Sequence, residues 1–216
     1  MSQQQMLDAT RPPQSATLPS SPEASRKQIL KWEWIGFIFV GLVGAALHFT
    51  YELSDYSYPV AFFSAVNEST WEHLKMVYWP GLLFAILQYT YVKDHANNFF
   101  LSMVAYLFIM PAVIVIGWYA YAPAVGRSIF LVDISLFYVA VAIGQYLSYR
   151  LKIAQPIENP KIKAGAWACF FVMLFAFSTF TYYPPEIFLF EHLDLNDTQL
   201  YGILSADVYE QIRIFR

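Results

Sequence analysis

Cysteine and charge are what this chain most conspicuously lacks. One cysteine, Cys169, stands among 216 residues, so an intrachain disulfide framework and a CxxC motif are both excluded. Charged residues make up 13%, against roughly a quarter in a soluble domain. Positive charge is not in excess: 13 Lys and Arg stand against 16 Asp and Glu, a formal net charge of −3. Such a balance offers no electrostatic footprint for nucleic acid. An HExxH metalloprotease motif is absent too, WEHLK being the nearest approach. What fills the chain instead is apolar: 57% hydrophobic, 19% aromatic, mean hydropathy +0.41. These residues fall in solid runs, not in the alternation of a barrel strand. The fold class expected is all-α, a polytopic transmembrane helix bundle.

Residues 1–30 are polar, with Pro12, Pro13, Pro22 and several serines, and read as a disordered cytoplasmic tail. Residues 31–183 form the bundle. About five spans are expected, at 34–51, 76–92, 99–122, 128–149 and 164–183. A helix needs roughly 20 apolar residues to cross a bilayer. The second run meets this only if its helix begins earlier, inside NESTWEHLK. Nine Lys and Arg in the tail and the loops after the second and fourth spans oppose four on the other side. That bias puts the N-terminus in and the C-terminus out, in the cell membrane. Residues 184–216 are an external segment ending in a short amphipathic helix striped by Leu204, Val208, Ile212 and Phe215. Gly36, Gly41 and Gly44 read as close-packing positions, and Gln88 and Gln145 as interhelical hydrogen-bonding residues.

Unusual polar residues gather on the outer side. His48 and Glu52 lie one helical turn apart at the end of the first span. If a helix runs through Asn67–Lys75, then Glu68, Glu72 and Lys75 share one stripe and His73 the next. Ser69 and Glu72 have the spacing of a capping box. Asp133 sits about 8 Å inside the fourth span by the helical rise, deep enough to mark a functional-site hypothesis or an ion pair with Lys75. Two histidines and several carboxylates are a donor set for a divalent metal such as zinc, with His48, Glu52, Glu72 and His73 as ligands. Glu68, Glu72, Asp133 and Lys75 are then the candidate catalytic groups, Glu72 or Glu68 as general base, with Tyr182 or Tyr183 donating hydrogen bonds. Glu191 and His192 repeat the Glu-His pair beyond the paired prolines, where a solvated turn is the simpler reading.

HFTYELSDYS, VNESTWEHLKMVYWP and FSTFTYYPPEIFLF followed by QLYGI resemble a family of small prokaryotic multi-pass membrane proteins of unknown function. Its blocks are NESxWEHxK and YYPPxIxLF, and the similarity spans about residues 34–203. Phe188 stands where such proteins favour a second proline. The resemblance implies the topology and the same outer residues, and no activity.

Three functions compete. The first is a structural or partner-binding membrane protein, its outer polar residues forming a rigid cap. The second is a metal-dependent hydrolase acting on a lipid-like substrate. The third is a proton- or ion-coupled transporter, against which the inner halves of the spans hold almost no ionisable residue. The partners expected are the lipid bilayer and either another membrane protein or a second copy in a homo-oligomer.

Overall fold

The computed structural model describes residues 21–193 and 199–203, so residues 1–20 of the expected tail over 1–30, and residues 204–216 of the expected amphipathic helix, lie outside the described residues. Among the described residues there are five α-helices: α1 Pro22–Leu53, α2 Thr70–Val92, α3 Phe99–Val125, α4 Phe130–Ile153 and α5 Pro160–Thr179. A short antiparallel ribbon, β1 Glu191–Leu193 with β2 Gln199–Tyr201, follows. All but α2 are long and apolar enough to cross a membrane, and α2, with 23 residues, has the length.

Helix α1 starts nine residues before the boundary that composition suggests. Ser21 caps it, its Oγ accepting from Ala24 N at 3.2 Å, Pro22 takes the first turn, and Lys27 pairs with Glu23 at 2.7 Å. Local capping thus extends a polar segment that hydropathy alone leaves as tail. Helix α2 does begin inside NESTWEHLK: Ser69 Oγ accepts from Glu72 N at 3.4 Å. The other half of the expected box is supplied differently, for Asn67 Oδ1, and not Glu72, accepts from Ser69 N at 2.8 Å.

Consecutive helices run up and down, so the bundle has two ends. The N-terminus of α1 lies at one, here the tail end; the loop over 54–69 and the β ribbon lie at the other, the cap end. Helix α2 is the most buried helix, its Val77, Tyr78, Phe84 and Ala85 sharing one core cluster with Val40, Tyr106, Met110 and Val141. Helix α5 is peripheral, burying only Ala166 and Phe177 among its residues. Trp34, Ile38, Ile86, Ile116 and Phe171 are exposed on the flanks, an apolar surface consistent with bilayer contact.

The glycines of α1 pack as the sequence implies. A Cβ on Gly36 would lie 2.5 Å from Phe84 Cε1, and one on Gly41 2.8 Å from Tyr138 Cε1. Gly44 is the tightest. Pro80 has no N–H for the carbonyl four residues back, that of Met76. A Cβ on Gly44 would run into that same Met76 oxygen and lie 2.9 Å from Phe137 Cζ. Gly44→Ala therefore overpacks a contact with backbone on one side, and is expected to cost about 1–3 kcal/mol. Thermal unfolding in detergent reads this directly, and an unchanged melting temperature would show that α1 and α2 approach less closely.

Candidate functional site

The cap is built on the N-terminus of α2. The loop over 54–69 leaves α1 through Asp55 and Tyr56, both at positive φ (55° and 58°), and passes a 3-10 turn at Val60–Phe62. After α5 the two prolines reverse the chain, so that Trp71 N donates to Leu189 O at 2.9 Å. The Trp71 ring stacks on Phe177 and packs on Phe190, with centroids 4.6 and 4.7 Å away. IFLF therefore tucks back over the bundle. Asn67 is buried, donating from Nδ2 to Gly202 O at 2.8 Å.

Beneath this cap lies a closed ion pair. Lys75 Nζ meets Glu72 Oε2 at 2.6 Å and also donates to Ala61 O at 2.7 Å and Thr181 Oγ1 at 2.8 Å. Those three acceptors match the three N–H donors of an ammonium. Glu72 is equally engaged: Val66 N donates to Oε2 at 3.1 Å and Thr181 Oγ1 to Oε1 at 3.0 Å. Both side chains are shut from solvent, at 0% and 2% exposure. The network joins the 3-10 turn, α2 and the chain leaving α5.

The expected Asp133–Lys75 pair does not form. Asp133 accepts from Tyr121 Oη and Ser128 Oγ, and sits in the first turn of α4, where the helix dipole favours a carboxylate. Lys75 finds Glu72 one turn away on its own helix instead, a partner that needs no tertiary register to reach.

Two of the expected metal ligands do converge. His48 and His73 have ring centroids 5.3 Å apart, and His73 Nε2 lies 3.5 Å from Glu68 Oε2. His48, Glu68 and His73, each half-buried, offer ligand atoms all within 4.8 Å of one another. His73 Nδ1 is 2.9 Å from Ser69 O, a contact that assigns the ring proton to Nδ1 and leaves Nε2 as the donor atom. The carboxylate of the group is thus Glu68. Glu72 is turned toward Lys75, and Glu52, one turn on from His48 and half-buried, falls outside the group. Glu68 precedes α2 and does not share a helical stripe with Glu72, so helical spacing does not show which carboxylate lies beside the two histidines.

His192 is not in a solvated turn. It is buried at 7% exposure, and its Nδ1 accepts from Glu68 N at 3.3 Å, the β ribbon folding it over the residue that begins the site. Tyr182 donates from its hydroxyl to Tyr58 O at 3.1 Å. Burial, Tyr58 and the Glu72 carboxylate push its phenol above the usual range, which keeps it a donor. Tyr183 is exposed.

A second buried pair, which the sequence reading missed, closes the tail end. Lys152 Nζ meets Glu33 Oε1 at 2.7 Å and donates to Gln88 Oε1 at 2.5 Å, with the Phe99 ring centroid 4.9 Å away. Gln88 Nε2 and Ser148 Oγ each reach Glu33 Oε1 at 3.2 Å. The tail-end halves of the helices are therefore not free of ionisable groups. Glu33 and Lys152 look from spacing like interfacial charges flanking the apolar runs, and Gln88 inside the second run was the one signal that a partner was needed there.

A family model described as a family of unknown function (DUF6512) matches residues 23–203. No curated protein and no solved structure matches the chain.

Proposed function

The chain belongs to that family of unknown function, DUF6512, and on this premise we propose that it is a metal-binding protein of the cell membrane. The ion is divalent, zinc first, held by His48, Glu68 and His73 at the cap end. One observation carries the reading: two imidazoles and one carboxylate, from α1, the loop before α2 and α2 itself, bring ligand atoms within 4.8 Å. Tetrahedral zinc with bonds of about 2.0–2.1 Å sets its ligand atoms roughly 3.4 Å apart. The Glu68–His73 separation of 3.5 Å is already at that value. Three protein ligands leave a fourth position for water, whose pKa the metal lowers to about 7. Hydrolysis of a lipid-like substrate at the membrane surface is the chemistry this set supports.

Elemental analysis of detergent-purified protein supplied with zinc is the test. Close to one zinc per chain is expected. His48→Ala/His73→Ala is expected to lose it while remaining monodisperse and folded. Glu68→Gln is expected to weaken binding by at least the roughly 10–100-fold that supporting partners alone contribute, whereas Glu52→Gln leaves it unchanged. A metal-free parent would remove the reading.

A structural or partner-binding role is favoured by a different observation. Glu72 and Lys75, two of the candidate catalytic residues, are sealed in a network that ties three segments of the cap together. If no metal binds, the rigid cap is what the site provides, and its partner is another membrane protein.

A further inference from the structure

At the tail end α1 and α4 leave a groove of about 310 Å³ between them. Its walls are Leu30, Trp34 and Phe37 on α1 and Ala142, Tyr146 and Tyr149 on α4. That volume reaches the size of a small-molecule pocket. Both helices are long and apolar enough to cross a membrane, so the groove opens sideways, toward lipid.

Each wall leads to an arginine at its tail end, Arg150 directly after the lining residue Tyr149. Arg26 precedes Leu30 by four residues and Arg150 follows Tyr146 by four, a spacing that keeps each on the face of its lining residue. Because α1 and α4 are antiparallel, both arginines fall at the tail end. Both are exposed. Arg150 Nη1 donates to the Tyr146 hydroxyl at 2.8 Å, and its guanidinium carbon lies 5.7 Å from that ring centroid. This contact fixes the guanidinium beside the groove and uses one of its five N–H donors. Trp34, Tyr146 and Tyr149 are residue types that settle at headgroup depth. The one carboxylate lining the groove, Glu33, is paired with Lys152, so it does not oppose an anion.

We propose that this groove binds an anionic phospholipid, one acyl chain lying between α1 and α4 and the phosphate held by Arg26 and Arg150. An uncharged amphiphile would leave both guanidiniums unused, and a soluble anion would leave the apolar walls uncovered.

Native mass spectrometry of the detergent-purified full chain tests this with dioleoyl phosphatidylglycerol against dioleoyl phosphatidylcholine. Phosphatidylglycerol is expected to be retained on the order of 10-fold or more tightly, given two cationic side chains at the surface. Arg26→Gln/Arg150→Gln is expected to abolish that preference. Both positions are exposed, so the variant keeps its fold and its lipid-free melting temperature. Ala142→Trp, also at an exposed position, fills the groove and is expected to lower phosphatidylglycerol retention with both arginines intact. Equal retention of the two lipids, or a preference that survives the double arginine variant, would overturn the proposal. So would full retention in Ala142→Trp.

Discussion

Glu72→Ala is expected to destabilise the protein by about 3–5 kcal/mol, because it leaves the Lys75 ammonium buried without its counter-charge. Three consequences act together. Lys75, at 0% exposure, keeps only Ala61 O and Thr181 Oγ1. Val66 N and Thr181 Oγ1 both lose their acceptor. The cap, whose 3-10 turn and α5 exit meet at this pair, loses its tie to α2. At roughly 2–4 °C per kcal/mol for a chain of this size, the melting temperature falls by roughly 10 °C. Glu72→Gln keeps one amide oxygen as an acceptor at the Val66 N–H, places an amide N–H where Thr181 Oγ1 had donated, and is expected to lose less. The decisive control is Glu72→Leu/Lys75→Met. Replacing a buried pair by apolar groups of similar volume is often neutral, so this double variant should recover much of what Glu72→Ala loses. A Glu72→Ala protein that melts with the parent would mean that Lys75 reaches water or another anion. The same series also separates a structural role from chemistry: stability restored in the double variant, with metal still bound, assigns Glu72 and Lys75 to holding the cap and not to the reaction.

Lys152→Ala is expected to have an effect of similar size, about 3–5 kcal/mol, at the other end of the bundle. Here the stranded group is a carboxylate. Glu33 is 3% exposed and would keep only Gln88 Nε2 and Ser148 Oγ, each at 3.2 Å, as donors. Gln88 would lose the ammonium that its Oε1 accepts from. Glu33→Leu/Lys152→Met is the rescuing pair, read by the same detergent melt. Since Lys75 and Gln88 are 13 residues apart on α2, roughly 20 Å at the helical rise, the two networks share no partner. Their losses should add to within about 0.5 kcal/mol. A larger coupling between Glu72→Gln and Lys152→Ala would show that the two ends communicate through α2.

Much of the architecture is legible in local pattern. Length and apolarity mark the spans, the absence of alternation excludes a barrel, and Ser69 with Glu72 announces the start of α2. Gly36, Gly41 and Gly44 point to close packing, which the Cβ clashes with Phe84, Tyr138 and Phe137 bear out. Gln88, an amide inside an apolar run, points to an interhelical bond, and it makes two. Each is signalled by residue type and by neighbours within one or two turns, so the sequence carries the signal, though not the partner on the other helix. The start of α1 is the exception, because a polar capped turn and a polar tail have the same composition.

Which polar groups meet is another matter. His48 and His73 were legible as a pair, yet the carboxylate beside them is Glu68 and not Glu52 or Glu72. Glu68 gets there because the chain before Thr70 is bent by the Asn67 and Ser69 bonds, and no helical wheel describes a bent loop. Asp133 turns to Tyr121 and Ser128 across a single loop, while Glu33 reaches Lys152 from 119 residues away. By itself, the sequence determined that this is an α-helical membrane bundle with a polar cap, because apolar length and capping are one-dimensional signals. Only the tertiary structure decided the Glu33–Lys152 pair, which carboxylate lies beside His48 and His73, and the groove between α1 and α4. Each depends on the relative rotation and depth of separate helices, and there a shift of one residue turns a side chain about 100° away from its partner.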